Sequence, residues 1–300
     1  MWFIRSFVLL TIQITPDHQI EAHVGMSQFE VDRLITSKSL IVRHVRCSGT
    51  CRHRSAEECS TATHLVFPHR GVFVRHVGQQ EIIADANQVL FFNASESYQV
   101  SHPVTGGDSN FVVELSDELL RELTPPQMLI SSGPLRFHQQ HRRIDSNTQA
   151  LVATLRYALI NRSFDYLAAE ASILKLVSSS LGPRTSHEPR ATPARRRLVN
   201  RVKLLLMGTL GRRWKLAEIA AEVGASPVYL TQLFQHVEGL PLHRYHLRLR
   251  LARSLERLLH REDLSTVALE LGFSSHSHFS LSFKQAYGLT PSQFRQAVND

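Results

Sequence analysis

The chain has 300 residues, enough for two domains with separate cores, and 43% of them are hydrophobic, an ordinary share for a folded soluble protein. Its three cysteines, Cys47, Cys51 and Cys59, are odd in number and crowded together, which excludes a disulfide framework and fits a reducing compartment. No run reaches the ~18–20 apolar residues that would span a bilayer, and the formal net charge of +8 is concentrated: residues 194–300 carry 16 Lys+Arg against 8 Asp+Glu, whereas residues 1–193 carry 18 of each sign. A basic region beside a neutral one points to a polyanionic partner for the basic region, because Lys and Arg contacts to phosphates release counterions.

The first residues, "MWFIRSFVLLTIQI", have the short apolar run of a weak signal peptide, but no small-residue cleavage site follows it. Residues 1–25 are therefore expected to be a tail or an upstream extension of the translated start, with Met26 opening a normal soluble sequence. From about residue 40 to 115 the apolar residues have the period of strands. "SLIVRHV", "THLVF", "GVFVRHV", "EIIA", "NQVLFF", "SYQVSH" and "NFVVELS" are separated by turn residues, a spacing that predicts an antiparallel barrel or sandwich. Ser116 is placed to cap a short helix ending before Pro125–Pro126, and residues 146–182 carry two amphipathic helical stretches. These two are expected to pack on the strands, on each other, or on a second copy of the chain. "GPRTSHEPRATPARRR", residues 182–197, is polar and holds three prolines, the composition of an interdomain linker.

Beyond the linker the period is helical, and one phrase is written twice. "LAEIAAEVGAS" at 216–226 returns as "LSTVALELGFS" at 264–274. Leu216 aligns with Leu264, Ile219 with Val267, Ala220 with Ala268, Gly224 with Gly272 and Ser226 with Ser274; after a one-residue slip Phe234 aligns with Phe283 and Gly239 with Gly288. Such a duplication is an internal repeat of one supersecondary unit. Each copy has the pattern of a helix-turn-helix: a short helix with a small residue at its crossing point, a glycine free to take positive φ at the helix end, and a serine cap for a second helix. The second helices are expected over about 227–237 and 275–287, with Leu230, Leu233 and Phe234, or Phe279 and Phe283, turned inward and the opposite faces free to enter a major groove. Between the copies "PLHRYHLRLRLARSLERLLH" predicts a rod of roughly 25 Å at 1.5 Å per residue. It carries Arg244, Arg248, Arg250, Arg253 and Arg257, side chains suited to phosphates.

Residues 198–297 resemble the DNA-binding domain of the AraC/XylS family of bacterial transcription regulators, and "VALELGFSSHSHFSLSFKQAYGLTPSQFR" matches that family's signature nearly position for position. The resemblance implies that Val228, Thr231 and Gln232 in the first copy and Ser277, His278 and Leu281 in the second face the bases. Val228 and Leu281 are apolar, suited to thymine methyls or else a sign that one unit reads weakly. Arg248, Lys284 and Arg295 are expected at the DNA backbone. The strand-rich part resembles, more loosely, the cupin-like sensor domain found before such DNA-binding domains.

The expected architecture is α+β and multidomain. It comprises a tail at 1–25, a cupin-like β-barrel with two packed helices at 26–181, a linker at 182–197, and an all-α DNA-binding domain with two helix-turn-helix units at 198–300. The resemblance further implies a cytoplasmic, non-enzymatic, dimeric regulator, generally an activator. Its partners would be double-stranded DNA, RNA polymerase and a small-molecule effector held in the barrel, with the dimer contact at helices 146–182. Two other readings stay open. Cys47, Cys51 and Cys59, flanked by His53 and His64, offer thiolates and imidazoles suited to zinc or to a redox response. A cupin metalloenzyme would need clustered histidines; His64, His69 and His76 are scattered in sequence, and Tyr98 occupies the place of a later ligand.

Overall fold

The computed structural model describes residues 29–49, 52–130, 133–163, 165–182 and 191–299. Expectations that concern residues 1–25 and Cys51 lie outside these.

Among the described residues, ten strands form two antiparallel sheets. The larger runs in the order β1 (Phe29–Thr36), β2 (Leu40–Cys47), β9 (Asp108–Leu115), β4 (His64–Gly71), β7 (Gln88–Phe92), β10 (His141–Arg143). The smaller runs β3 (Glu58–Cys59), β8 (Ser97–Ser101), β5 (Phe73–Val77), β6 (Gln80–Ala84). Alternation along the strands decides what lies on each face. Val66, Leu90, Phe92 and Val112 of the large sheet meet Phe73, Ile82 and Ala84 of the small one in the layer between them. Leu65, Phe67, Val89, Phe91, Phe111 and Val113 point the other way, into the main core. The expected closed barrel is therefore replaced by two facing sheets: among the described residues hydrogen bonding joins strands within each sheet but does not close one on the other.

The expected helices cover the outer face of the large sheet. α1 (Asp117–Leu123) is capped by Ser116, whose side chain accepts from the Leu119 amide. α2 (Ser146–Ile160) and α3 (Tyr166–Leu181) are capped by Asp145 and Asp165 and bury Val152, Leu155, Ile173, Leu176 and Val177 against the strands.

Helix resumes at Pro193, capped by Thr192, so the last five residues assigned to a linker are instead the opening of α4 (Pro193–Gly208). Pro193 fits because the first helical position needs no amide donor. α5 (Leu216–Glu222), α6 (Pro227–Glu238), α7 (Leu242–Leu259), α8 (Leu264–Glu270), α9 (His276–Tyr287) and α10 (Pro291–Asn299) follow. They build two cores: α4, α5, α6 and the start of α7 around Phe234 and Tyr245, then the rest of α7 with α8, α9 and α10 around Phe279, Phe283 and Phe294. The 18 residues of α7 run through both.

Candidate nucleic-acid interface

Each repeat folds as its residues require. Ala220 and Ala268 are buried where α5 crosses α6 and α8 crosses α9. Gly224 and Gly272 take φ of +67° and +78°, the left-handed region that turns the chain between the helices. Ser226 then accepts from the Tyr229 amide to cap α6, and Ser275 accepts from the His278 amide to cap α9. Gly239 and Gly288 end both helices in the left-handed conformation.

With Leu230, Leu233 and Phe234 buried on one side of α6, and Phe279 and Phe283 on one side of α9, the opposite sides face solvent. Val228, Thr231 and Gln232 are exposed on α6; Ser277, His278, Leu281 and Lys284 are exposed on α9. Val228 at 69% and Leu281 at 58% expose far more apolar surface than a core position would. Tyr229, also solvent-facing on α6, is a further candidate that the sequence reading missed, although the spacing of 49 pairs it with His278. The His278 imidazole is steadied by the Ser274 hydroxyl at 3.0 Å and by the Phe273 ring, whose centroid lies 5.6 Å away.

The arginines of α7 behave differently from their sequence reading. Arg248 donates to the Ile144 carbonyl in the strand-rich domain, and burial pulls its guanidinium below its ordinary pKa. Arg250 donates to the Leu210 carbonyl at 2.9 Å and to the Arg212 carbonyl at 2.6 Å. Arg253 pairs with Glu256, and Arg257 with Glu262 and Glu270. Arg295 donates to the Glu262 carbonyl. In this arrangement Arg248 and Arg295, expected at phosphates, hold the protein together instead. Arg244 and Lys284 remain on the surface.

Arg248 is part of a larger polar seam between the two domains. Asp85, fully buried in the turn between β6 and β7, accepts from the Tyr245 hydroxyl of α7 and lies 3.5 Å from the Lys203 ammonium of α4. Lys203 also pairs with Glu238 at 3.4 Å, and Arg143 donates to the Glu238 carbonyl. Burial alone would lower the Lys203 pKa; Glu238 and Asp85 reverse this and hold it raised. Ala153 of α2 packs into the core of the second repeat beside Leu255 and Leu258. Above this seam a cleft of about 240 Å³ opens between the domains, bounded by Val72, Val104 and Gly107 on one side and Met207, Leu249 and Arg253 on the other.

The space between the sheets, where an effector was expected, holds an apolar cluster and a buried guanidinium. Arg75, wholly buried, projects there with its guanidinium 3.7 Å from the centre of the Phe92 ring; it donates to the Phe91 carbonyl and to Glu96. His64, His69 and His76 do not gather: they engage the Ala62 carbonyl, His44 and Ser101 respectively. Tyr98 donates to Glu58. Cys47 is buried at the end of β2, while Cys59 is exposed on the other sheet. The cluster that does form among the described residues is Cys47, His102 and Asp108, of which sequence spacing marked only the cysteine. No described helix is long and apolar enough to cross a membrane.

Two capped second helices with solvent-facing polar surfaces, repeated in one compact unit, define a double helix-turn-helix module. Residues 219–297 match the family model described as "Helix-turn-helix domain". The chain is 33% identical over 87 residues to the regulatory protein PocR of Salmonella typhimurium, which is 29% of each chain. It is 30% identical over 110 residues to the HTH-type transcriptional activator RhaR of Klebsiella pneumoniae, covering 36% of this chain and 39% of that one. It thus spans about a third of the length of these relatives. Among solved structures, apo ToxT of Vibrio cholerae aligns over 87% of this chain and 98% of its own, at 13% identity and a TM-score of 0.35. Residues 219–297 of this chain thus carry a helix-turn-helix domain.

Proposed function

We propose that the chain is a sequence-specific, double-stranded-DNA-binding transcription regulator, acting as an activator in the cytoplasm, whose strand-rich domain responds to an effector. The observation that carries this is the pair of exposed faces on α6 and α9, each on a rigid, serine-capped helix. Gln232, Thr231, Ser277 and His278 supply hydrogen-bonding groups, and Val228 and Leu281 supply apolar contacts for thymine methyls. Lys284 and Arg244 reach for phosphates. The strand-rich domain is a cupin-like sensor in this reading, supported by two antiparallel sheets with an apolar layer between them. The interdomain cleft is the effector position in this reading: a ligand there touches both domains at once and biases how they dock. Exposed Ile160, Tyr166 and Leu167, around the start of α3, support a homodimer formed through that helix. RNA polymerase is the further partner an activator needs.

Selection of the full chain against a random pool of duplex DNA tests the reading. The expected operator has two short conserved blocks about one turn apart, ~10 bp centre to centre. Enrichment of no common sequence at low salt overturns it.

A further inference from the structure

We propose that Cys47, His102 and Asp108 form a binding site for a single divalent cation of the zinc class. The Cys47 sulfur, an imidazole nitrogen of His102 and a carboxylate oxygen of Asp108 lie within 4.8 Å of one another, and all three residues are buried. Ligand atoms around tetrahedral zinc, at bond lengths of about 2.0–2.3 Å, sit roughly 3.3–3.8 Å apart.

One further observation points to a missing ligand. His102 Nε2 lies 2.7 Å from Asp108 Oδ1, so a cation in place of the proton they share would bind both, with the Cys47 sulfur beside them. Asn110 stands two residues along β9 on the same face as Asp108. It donates through Nδ2 to Asp108 Oδ2 and leaves its own Oδ1 buried and unsatisfied. A buried polar atom without a partner costs about 1–3 kcal/mol; a cation within reach of Asn110 Oδ1 would satisfy it. Thiolate and carboxylate neutralise a double positive charge, and the sulfur–nitrogen–oxygen set suits zinc over calcium or magnesium. Asn110 Oδ1 or solvent supplies the fourth position.

The scaffold is rigid. A Cβ on Gly107 would lie 2.1 Å from the Cys47 carbonyl oxygen, and one on Gly49 would lie 2.5 Å from the Gly107 Cα. Both glycines have φ near +67°, so the strands' ends are pressed together where only glycine fits. The segment joining His102 to Asp108 also forms one wall of the interdomain cleft, with Val104 packed near Leu204 and Met207 of α4. Cation binding therefore acts on the surface against which the DNA-binding domain rests. That consequence rests on the function proposed above; the site itself does not.

The test uses the full chain, reduced and stripped with a chelator, then titrated with Zn²⁺ against a chromophoric competitor and separately with Co²⁺. One equivalent of Zn²⁺ should bind at submicromolar Kd, and Co²⁺ should show a near-ultraviolet sulfur-to-metal charge-transfer band. Cys47→Ser and His102→Gln should each weaken binding by on the order of 100-fold or more, and Cys59→Ser should leave it unchanged. Circular dichroism checks that the variants fold, and the cobalt band of the unaltered chain stands independently of them. Only millimolar binding, or full binding retained by folded Cys47→Ser and His102→Gln proteins, overturns the site. Stoichiometric Zn²⁺ binding with unchanged affinity for a selected operator overturns the coupling alone. Failure to select any operator bears only on the DNA-binding reading.

Discussion

At the scale of single residues, the outward positions of α6 and α9 were legible because a helix of known phase fixes which side chains oppose a buried stripe. Gln232 is the sharpest of them: exposed, with an amide that can donate to and accept from one base edge. Gln232→Ala should cost about 1–3 kcal/mol at one operator position and leave the others intact. Equal discrimination by the variant across a single-base-substituted panel would remove Gln232 from the readout. The arginines were not legible in the same way. A guanidinium's charge says nothing about whether an internal carbonyl or a carboxylate already holds it, and Arg248 and Arg295 found carbonyls. Histidines give a second prediction. Burial first, then Arg156 and Arg46, depress the His44 pKa to about 4; burial and then Arg250 do the same for His246. Both are neutral in the native state and protonate near 6.5 when unfolded, so the unfolded chain binds more protons between about pH 6.5 and 4, and stability falls as pH falls through that window. Denaturation midpoints at pH 7 and pH 5 should differ in that direction, and His44→Gln should flatten the slope. A slope untouched by the substitution would mean that other groups carry the acid sensitivity.

At the scale of elements, seven strands announced themselves by alternation, and three did not. β1 is an edge strand with one neighbour; of its eight residues only Ile35 is buried, and Arg46 reaches across to Glu30 and Asp32. Its charges suppress the apolar signal for the same reason that they protect an open edge. β3 and β10, at two and three residues, are too short to show any period. The repeat was the most legible element of all, yet its two turns differ in a way that the aligned glycines conceal. A Cβ on Gly224 meets open space, whereas on Gly272 it would lie 2.3 Å from the Gly211 carbonyl oxygen and 2.7 Å from the Arg250 guanidinium. Gly224→Ala should therefore cost only the left-handed strain, about 1–2 kcal/mol. Gly272→Ala must in addition displace backbone and the arginine that ties α7 to Leu210 and Arg212, and should lower the unfolding midpoint markedly more. Equal losses in thermal unfolding would show that the second turn relaxes freely.

At the scale of the whole molecule, charge and composition shift along the chain, but neither foretells the seam between the strand-rich and helical parts. Asp85 and Tyr245 are 160 residues apart and neither belongs to a motif; only the folded chain brings a turn of the strand-rich domain onto the rod between the two repeats. The consequence is mechanical. α7 belongs to both DNA-binding cores, so a contact with its first turns fixes both reading helices relative to the strand-rich domain. Asp85 and Glu238 together balance the buried Lys203, so removing Asp85 leaves that ammonium with a single carboxylate, at a cost of up to about 3–5 kcal/mol. Asp85→Asn should therefore release the DNA-binding domain from the strand-rich domain. Denaturation of the full chain, followed by the fluorescence of Trp214 in the DNA-binding domain, should shift to a lower midpoint and separate from the loss of strand signal in circular dichroism. Tyr245→Phe alone should do less. The two substitutions together should fall short of their sum by about 0.5–3 kcal/mol, the range expected for residues in direct contact. Strict additivity, with both probes still moving as one, would mean that the domains are held by the apolar packing of Ala153 against the second repeat, and that the polar seam only orients what that packing has already joined.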